Sequence, residues 1–374
     1  MVYRALSHIP PEILCAADYE ALADQFIAPP DFAYIAGGSG DEATLRDNRD
    51  AFAACRLRPR VLRDLSGGHT RLTLFGQSYP HPFLLAPLAY QKLVHPQGEL
   101  DTARGAAAMD AGFVCSTLAS FPLEEVAARA GERRWFQLYF QPARQATLDL
   151  VRRAEAAGYG ALVVTLDTSV KAPSRRSLRA GFALPPDIRA ASLDPYPVPA
   201  QRTLAPGDSV VFQGAMAEAP TAADLAWLLG QTRLPVLVKG VLDADDAQRL
   251  QAMGVAGQIV SNHGGRALDG APASLHALPG IRRAVGPGYP LLLDGGIRSG
   301  SDAFKALAHG ADAVLVGRLQ VYALAVAGAL GVAHLLRTLG EELELCMAQA
   351  GCATLAEIGP QMIYPRHDEA YRQC

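Results

Sequence analysis

The 374-residue sequence contains no uninterrupted apolar stretch of about 18 residues, the length a bilayer-spanning helix needs. Its opening Met1-Val2-Tyr3-Arg4 lacks the continuous apolar segment of a secretory leader. Neither sign of charge dominates: 34 Lys and Arg face 37 Asp and Glu for a net charge of −3, which supplies no basic field for nucleic acid. The six cysteines (Cys15, Cys55, Cys115, Cys346, Cys352, Cys374) include no CxxC pair, so no metal or redox motif is present. Idle thiols of a reducing cytosol fit that scatter. The expectation is a soluble, cytoplasmic chain with no membrane, nucleic-acid or metal partner. What the sequence does have is length and apolar residues: half of them are hydrophobic, enough for one large barrel with additions or for two domains.

Residues 1–65 read as an irregular helical segment. A short amphipathic helix over 16–26 is ended by Pro29-Pro30, a second is closed by Gly37-Gly38, and a charged helix covers 39–55 before an extended stretch at 57–62. From residue 82 a rhythm begins. Apolar runs recur at 82–89, 112–118, 135–140, 161–168, 235–241, 257–263, 290–296 and 313–318, eight in all. Helical segments lie between them at 98–111, 123–130, 146–157, 222–231, 244–253, 274–285 and 301–309. Eight strands alternating with helices predict a closed parallel (β/α)8 TIM barrel, an α/β fold. The rhythm breaks once, at 169–219, where a proline-bearing insertion reads as a lid-like loop. The insertion carries Asp187, Arg189, Asp194, Arg202 and Asp208, unlike a membrane anchor. The tail, 320–374, is alanine-rich and helical with a break at Leu339-Gly340. The whole chain, 1–374, is expected to form one domain.

In such barrels the active site lies at the strand C-termini. Those ends carry Ala89-Tyr90-Gln91-Lys92, Ser116-Thr117, Gln137 and Tyr139, Thr165 and Asp167, Lys239, His263 and Arg266, Asp294 and Arg298, and Gly317-Arg318. A polar group at every end is not what packing alone would produce. The stretch SNHGGRALDG (261–270) sets an imidazole and a guanidinium on one glycine turn, a base and a cation sharing a rim. After the last two strands, Asp294-Gly295-Gly296-Ile297-Arg298 and Gly317-Arg318 match a phosphate site, with glycine amides and guanidinium groups facing an anion.

SNHGGRALDG, DGGIRSG (294–300) and AYIAGGSGDEATLRDNRDAF (33–52) resemble the FMN-dependent α-hydroxy acid oxidases and dehydrogenases, the family of glycolate oxidase, lactate oxidase and mandelate dehydrogenase. The likeness runs from about residue 17 to residue 365. It implies a TIM barrel, FMN as cofactor, a homotetramer, and oxidation of an L-α-hydroxy acid to the keto acid. It assigns His263 as the base and Asp167 as its orienting carboxylate. Arg266 and Tyr34 would hold the substrate carboxylate, Tyr139 the reacting oxygen, and Lys239 the flavin edge where charge accumulates on reduction. Backbone contacts near flavin N5 fall on Pro87, Leu88 and Ala89. Ser116, Gln137, Thr165 and Ser261 surround the ring, and Asp294, Gly295, Gly296, Arg298, Gly317 and Arg318 take the ribityl and phosphate. Asn262 reads as a structural loop residue.

Three positions depart from that pattern. Ser174 stands where many relatives carry a substrate-binding arginine, so Arg175 or, foremost, Arg176 is expected to replace it. Tyr90 stands at a common methionine, and Leu118 at glycolate oxidase's pocket-narrowing tryptophan. The smaller leucine points to a substrate bulkier than glycolate, aliphatic or aromatic. Ala89 matches oxidases rather than the dehydrogenases with glycine there, favouring O2 as acceptor and H2O2 as product; a dehydrogenase using another acceptor stays open. Two other readings are an isomerase on a similar FMN barrel, which should lack the His263, Arg266 and Asp167 set, and a non-catalytic FMN-binding relative, for which Ser174 is the hint.

Overall fold

A computed structural model describes residues 5–198 and 203–364. The readings placed on Met1 to Arg4, Pro199, Arg202 and Cys374 therefore lie outside the described residues. Three helices come first: α1 (Asp18–Leu22), α2 (Pro29–Ala36) and α3 (Ala43–Ala54). Pro29-Pro30 opens α2 rather than merely ending the helix before it, because a proline at the first helical position loses no intrahelical hydrogen bond. A hairpin absent from the sequence reading follows, with β1 (Leu72–Leu74) antiparallel to β2 (Gln77–Tyr79). Its turn is Phe75-Gly76, both at positive φ.

The barrel then runs β3 (Phe83–Leu85), α4 (Gly98–Ala108), β4 (Gly112–Ser116), α5 (Leu123–Ala127), β5 (Arg134–Leu138), α6 (Arg144–Ala156) and β6 (Leu162–Thr165). After the insertion, which holds the short helix α7 (Arg175–Arg179), come α8 (Ala222–Leu229), β7 (Val236–Val241), α9 (Ala244–Ala252), β8 (Gly257–Val260), α10 (Ser274–Val285), β9 (Leu291–Asp294), α11 (Gly300–Ala308) and β10 (Ala313–Val316). The order β10-β3-β4-β5-β6-β7-β8-β9 closes on itself, every pair parallel. All eight expected runs form strands, each shorter than its run. Ser116, Gln137, Thr165, Lys239 and Asp294 stay on the strands, whereas Tyr139, Asp167, His263, Arg266 and Arg298 belong to the loops.

The strands are apolar on both faces because helices cover one face and the barrel interior the other. Leu85, Phe113, Phe136, Val164, Val238, Val260, Leu293 and Val316 pack outward against the helices. Leu84, Val114, Trp135, Val163, Leu237, Ile259, Leu292 and Leu315 fill the interior, closed off with Leu74 and Tyr79 of the hairpin. Side chains alternate across a strand, so the residue two positions beyond each interior one faces inward again. That rule brings Ala86, Ser116, Gln137, Thr165, Lys239, Ser261, Asp294 and Gly317 to the top of the barrel.

The last helix, α12 (Arg318–Ala350), breaks at Ala327-Gly328 rather than at Leu339-Gly340. Gly328 has φ 57° and ψ −143°, a conformation open to glycine, whereas Gly340 is an ordinary helical residue. By length and composition α12 would pass for a membrane span, a match the sequence reading did not anticipate. Within this chain 78 % of that window is buried, as a core helix against α1, α4 and α11.

The two glycines of α12 should respond oppositely to alanine. Gly340→Ala adds a methyl group with no heavy atom within 4 Å, and should raise stability by about 0.5–1 kcal/mol. Gly328→Ala should cost about 1–3 kcal/mol. Urea unfolding of the two variants checks the pair, and a destabilised Gly340→Ala would contradict the continuous helix.

Candidate active site

One cavity opens at the C-terminal rim of the barrel, about 1070 Å³ including its mouth. Among its walls are Tyr34, Pro87 to Gln91, Ser116, Leu118, Tyr139, Lys171, Lys239, His263, Arg266, Asp294 to Arg298, Gly317 and Arg318. At its centre β8 ends and the chain turns through three consecutive left-handed residues: His263 (φ 58°), Gly264 (φ 62°) and Gly265 (φ 75°). A histidine in this region is strained and persists only where its surroundings fix it. Asn262 does much of the fixing: it is buried, exchanges two 2.8 Å hydrogen bonds with Asn48 of α3, and accepts from Gly265 N at 3.1 Å.

His263 Nδ1 lies 2.9 Å from Asp167 Oδ1 in the loop after β6. With the carboxylate ionised, Nδ1 carries the proton and donates, so Nε2 keeps its lone pair for the cavity. Burial pushes the imidazole down, Lys239 adds to this, and the bond to Asp167 offsets only part, leaving it at about 4. Burial pushes Asp167 up, but the hydrogen bond and charge of His263 outweigh it and hold the carboxyl below its usual range. The pair at rest is therefore neutral imidazole and carboxylate. Room for Asp167 comes from Gly240, at φ 109° in a bulge of β7, where a side chain would meet Asp167 Cβ at 2.5 Å.

Lys239 is buried beside this pair. Its Nζ is 2.8 Å from Asp294 Oδ2 and 3.0 Å from Ser261 Oγ, which in turn donates to Asp294 at 2.6 Å. Burial would lower the amine, but Asp294, then Asp167, keep it raised and charged. Two guanidinium groups share the end of α2. Arg266 Nη1 donates to the carbonyls of Tyr34, Ile35 and Gly37, and its guanidinium lies 5.0 Å over the Tyr34 ring. Arg318 donates through Nε to Ile35, through Nη1 to Gly264 and through Nη2 to Gly37. Burial, then the Arg266 charge, lower Arg318 to about 10. Arg298 is held by Glu20 of α1 at 2.5 Å.

Not every expected residue reaches the cavity. Ser261, Gln137, Thr165 and Asp167 stand behind its walls, the first three on inward strand positions. Arg176 is turned away and pairs with Glu42, while Arg175 pairs with Asp41, so neither supplies the cation that Ser174 lacks. Ser174 instead caps α7 by accepting from Ser177 N. Lys171, not singled out in the sequence, is the insertion residue that lines the cavity.

The donor set fits a long ligand with a polar ring at one end and an anion at the other. Gln137 is buried, accepts from Ser116 Oγ at 3.2 Å, and leaves Nε2 without a partner. At Gly317 a side-chain carbon would meet nothing within 4 Å, an open cradle beside Arg318. Gly295 and Gly296, at φ 107° and 87°, expose backbone at the same end.

Residues 23–365 match the family model described as FMN-dependent dehydrogenase. An L-lactate oxidase of Alicycliphilus denitrificans is 61% identical over 357 residues, covering 96% of this chain and 98% of that protein. A 4-hydroxymandelate oxidase of Amycolatopsis orientalis is 46% identical over 343 residues, 91% of this chain and 95% of that one. Among solved structures, a mandelate oxidase bound to (S)-2-phenylpropionate superposes with a TM-score of 0.85 at 41% identity, covering 94% of this chain and 98% of that chain. A closed parallel barrel whose rim unites His263, Asp167, Arg266 and Lys239 thus agrees with a family match over nearly its whole length: the chain belongs to the FMN-dependent dehydrogenases and is an FMN-dependent enzyme of 2-hydroxy acid oxidation.

Proposed function

We propose that the chain oxidises an (S)-2-hydroxy acid larger than glycolate, L-lactate or a longer aliphatic homologue foremost, to the 2-keto acid, with O2 reduced to H2O2. The observation that carries the reading is the His263–Asp167 pair facing Arg266 across one cavity. Similarity to an L-lactate oxidase favours a small aliphatic side chain, and oxidases among the relatives favour O2. The balance is hydroxy acid plus O2 giving keto acid plus H2O2.

The substrate carboxylate takes the other edge of Arg266, whose Nε and Nη2 make no hydrogen bonds among the described residues. Tyr34 stacks on Phe182 of the insertion with ring centroids 4.2 Å apart, so its hydroxyl is presented from a fixed ring. His263 Nε2 accepts the hydroxyl proton. Asp167 keeps the imidazole in the accepting tautomer and stabilises it once cationic. Tyr139 lines the wall beside it, burial holding its hydroxyl protonated as a donor to the reacting oxygen. Bound FMN supplies the two-electron acceptor, with Gln137, Ser116, Thr165, Ser261 and Lys239 toward its ring, Pro87 to Ala89 along the adjacent wall, and Asp294 to Gly296, Arg298, Gly317 and Arg318 toward its phosphate end. Tyr34 of the N-terminal helical segment and Lys171 of the insertion line the same cavity as the barrel residues. On the wall, Tyr90 N bonds to Leu118 O at 3.1 Å, so the two residues that shape the side-chain pocket form one element.

Anaerobic mixing of the FMN-loaded enzyme with glycolate, L-lactate, 2-hydroxyoctanoate and (S)-mandelate checks the proposal. L-Lactate or the longer aliphatic acid should bleach the flavin fastest, and air should restore the colour with stoichiometric peroxide. A preference for glycolate would sink the pocket argument. His263→Gln should lower kcat by about 10² to 10⁴.

The same pair sets a pH dependence of stability. His263 titrates lower in the folded chain than unfolded, at about 4 against 6.5, so the unfolded chain binds more protons between these values. Stability is full above about 6.5 and is lost as pH falls toward 4, with Asp167 adding loss at the acid end, at most about 1.4 kcal/mol per pH unit for one proton. His263→Gln should flatten the dependence of urea unfolding between pH 6.5 and 5; an unchanged slope would place the titrating group elsewhere.

A further inference from the structure

The insertion offers several cations, and the structure sorts them. Arg175 and Arg176 are bound to Asp41 and Glu42 on the outer side, next to the parallel bridge between Gly40 and Ser174. Arg189 is paired with Asp194. Lys171 alone of these lines the cavity, together with Tyr34, Tyr139, His263 and Arg266. No hydrogen bond or ion pair to its amine occurs among the described residues. Lys239, by contrast, is matched by Asp294.

Two like charges therefore converge on one space, and neither makes an ion pair with an acid among the described residues. Arg266 spends Nη1 on backbone carbonyls and leaves its other edge unbonded. Lys171 faces Arg266, Asp167 and Lys239, and His263 feels its charge in turn. Asp167 carries one charge, already shared through Oδ1 with His263, and its pull on Lys171 is outweighed by burial and by the Arg266 charge. Such an arrangement is relieved by a monoanion bound between ammonium and guanidinium. We propose that Lys171 is a second substrate-binding cation of this site, gripping the carboxylate of the hydroxy acid from the cavity mouth while Arg266 holds it from the α2 side. The inference rests on the function proposed above and extends it to a residue outside the expected set.

A lysine here differs from an arginine in being titratable within reach of neutrality. Desolvation by the surrounding walls, then the charge of Arg266, bring the amine down to about 8. Lys171 is open to water through the cavity mouth, so both the desolvation and the repulsion from Arg266 act across an aqueous opening, and a bound anion would offset that repulsion. Substrate affinity should thus fall as pH rises through about 8, where the amine loses its proton.

The test compares FMN-loaded wild type, Lys171→Met and Lys171→Arg, with L-lactate as substrate and oxalate as an unreactive anion whose Kd is read from the flavin absorbance. Lys171→Met should raise KM and the oxalate Kd about tenfold or more, with kcat within about threefold. It should also remove the alkaline limb of kcat/KM. Lys171→Arg should restore both affinities and move that limb beyond pH 10. Unchanged KM, oxalate Kd and alkaline limb in Lys171→Met would overturn the proposal, as would equal loss of FMN from both variants, the mark of a structural role. If wild type oxidises no hydroxy acid, the function proposed above fails, and the oxalate Kd still decides Lys171 by itself.

Discussion

The site depends on one buried contact: Lys239 held between Asp294 and Ser261 at the top of the barrel. Adjacent strands β7, β8 and β9 each contribute or lead into one partner, so the ion pair stitches the rim where the strands stop. Withdrawing two charges from water is costly, and only close geometry with further hydrogen bonds offsets it. Ser261 supplies those bonds and then accepts from His263 N at 3.0 Å, which ties the strained histidine turn to the same stitch. The contact also acts at a distance. After burial, the Lys239 charge is the strongest influence holding His263 neutral, and a neutral imidazole is what a proton acceptor must be at rest. A single cation thus braces the rim and helps hold the His263 imidazole neutral.

The barrel was readable in the sequence because strands buried on both faces are written as apolar runs, and eight such runs close a sheet. The site was readable for a related reason. Lys239 follows Leu237 by two residues, Ser261 follows Ile259 and Asp294 follows Leu292, so each polar group is the next inward position after an apolar one. The hairpin Leu72 to Tyr79 escaped because its strands are three residues each, too short for alternation to register. The break in α12 was put at Leu339-Gly340 because a leucine-rich stretch gives no local sign of which glycine leaves the helix. Gly328 does so because it closes against His95 and Asp101, residues more than two hundred positions away. Lys171 escaped for a different reason. Counting seven residues from Asp167 leads to Ser174 and then to the next two arginines, and sequence spacing cannot say which charges Asp41 and Glu42 will take.

How two guanidinium groups and an ammonium tolerate one another on this rim is answered by the end of α2. The last carbonyls of a helix have no intrahelical donor and carry the negative end of its dipole. Arg266 and Arg318 both spend donors on these groups, sharing Ile35 and Gly37, so their charges are met by backbone rather than by acids. Among the described residues Arg266 is therefore bonded by carbonyls alone and by no carboxylate. It also fixes Tyr34, two residues before the helix end, whose ring carries Phe182 and with it the part of the insertion just beyond α7. An eight-residue helix outside the barrel therefore neutralises the arginines, orients the tyrosine and anchors the loop that bears Lys171. The Arg266 side of the cavity is organised around α2 as firmly as the opposite side is around Lys239, and the two meet where Arg318 bonds to the carbonyl of Gly264, the residue after His263.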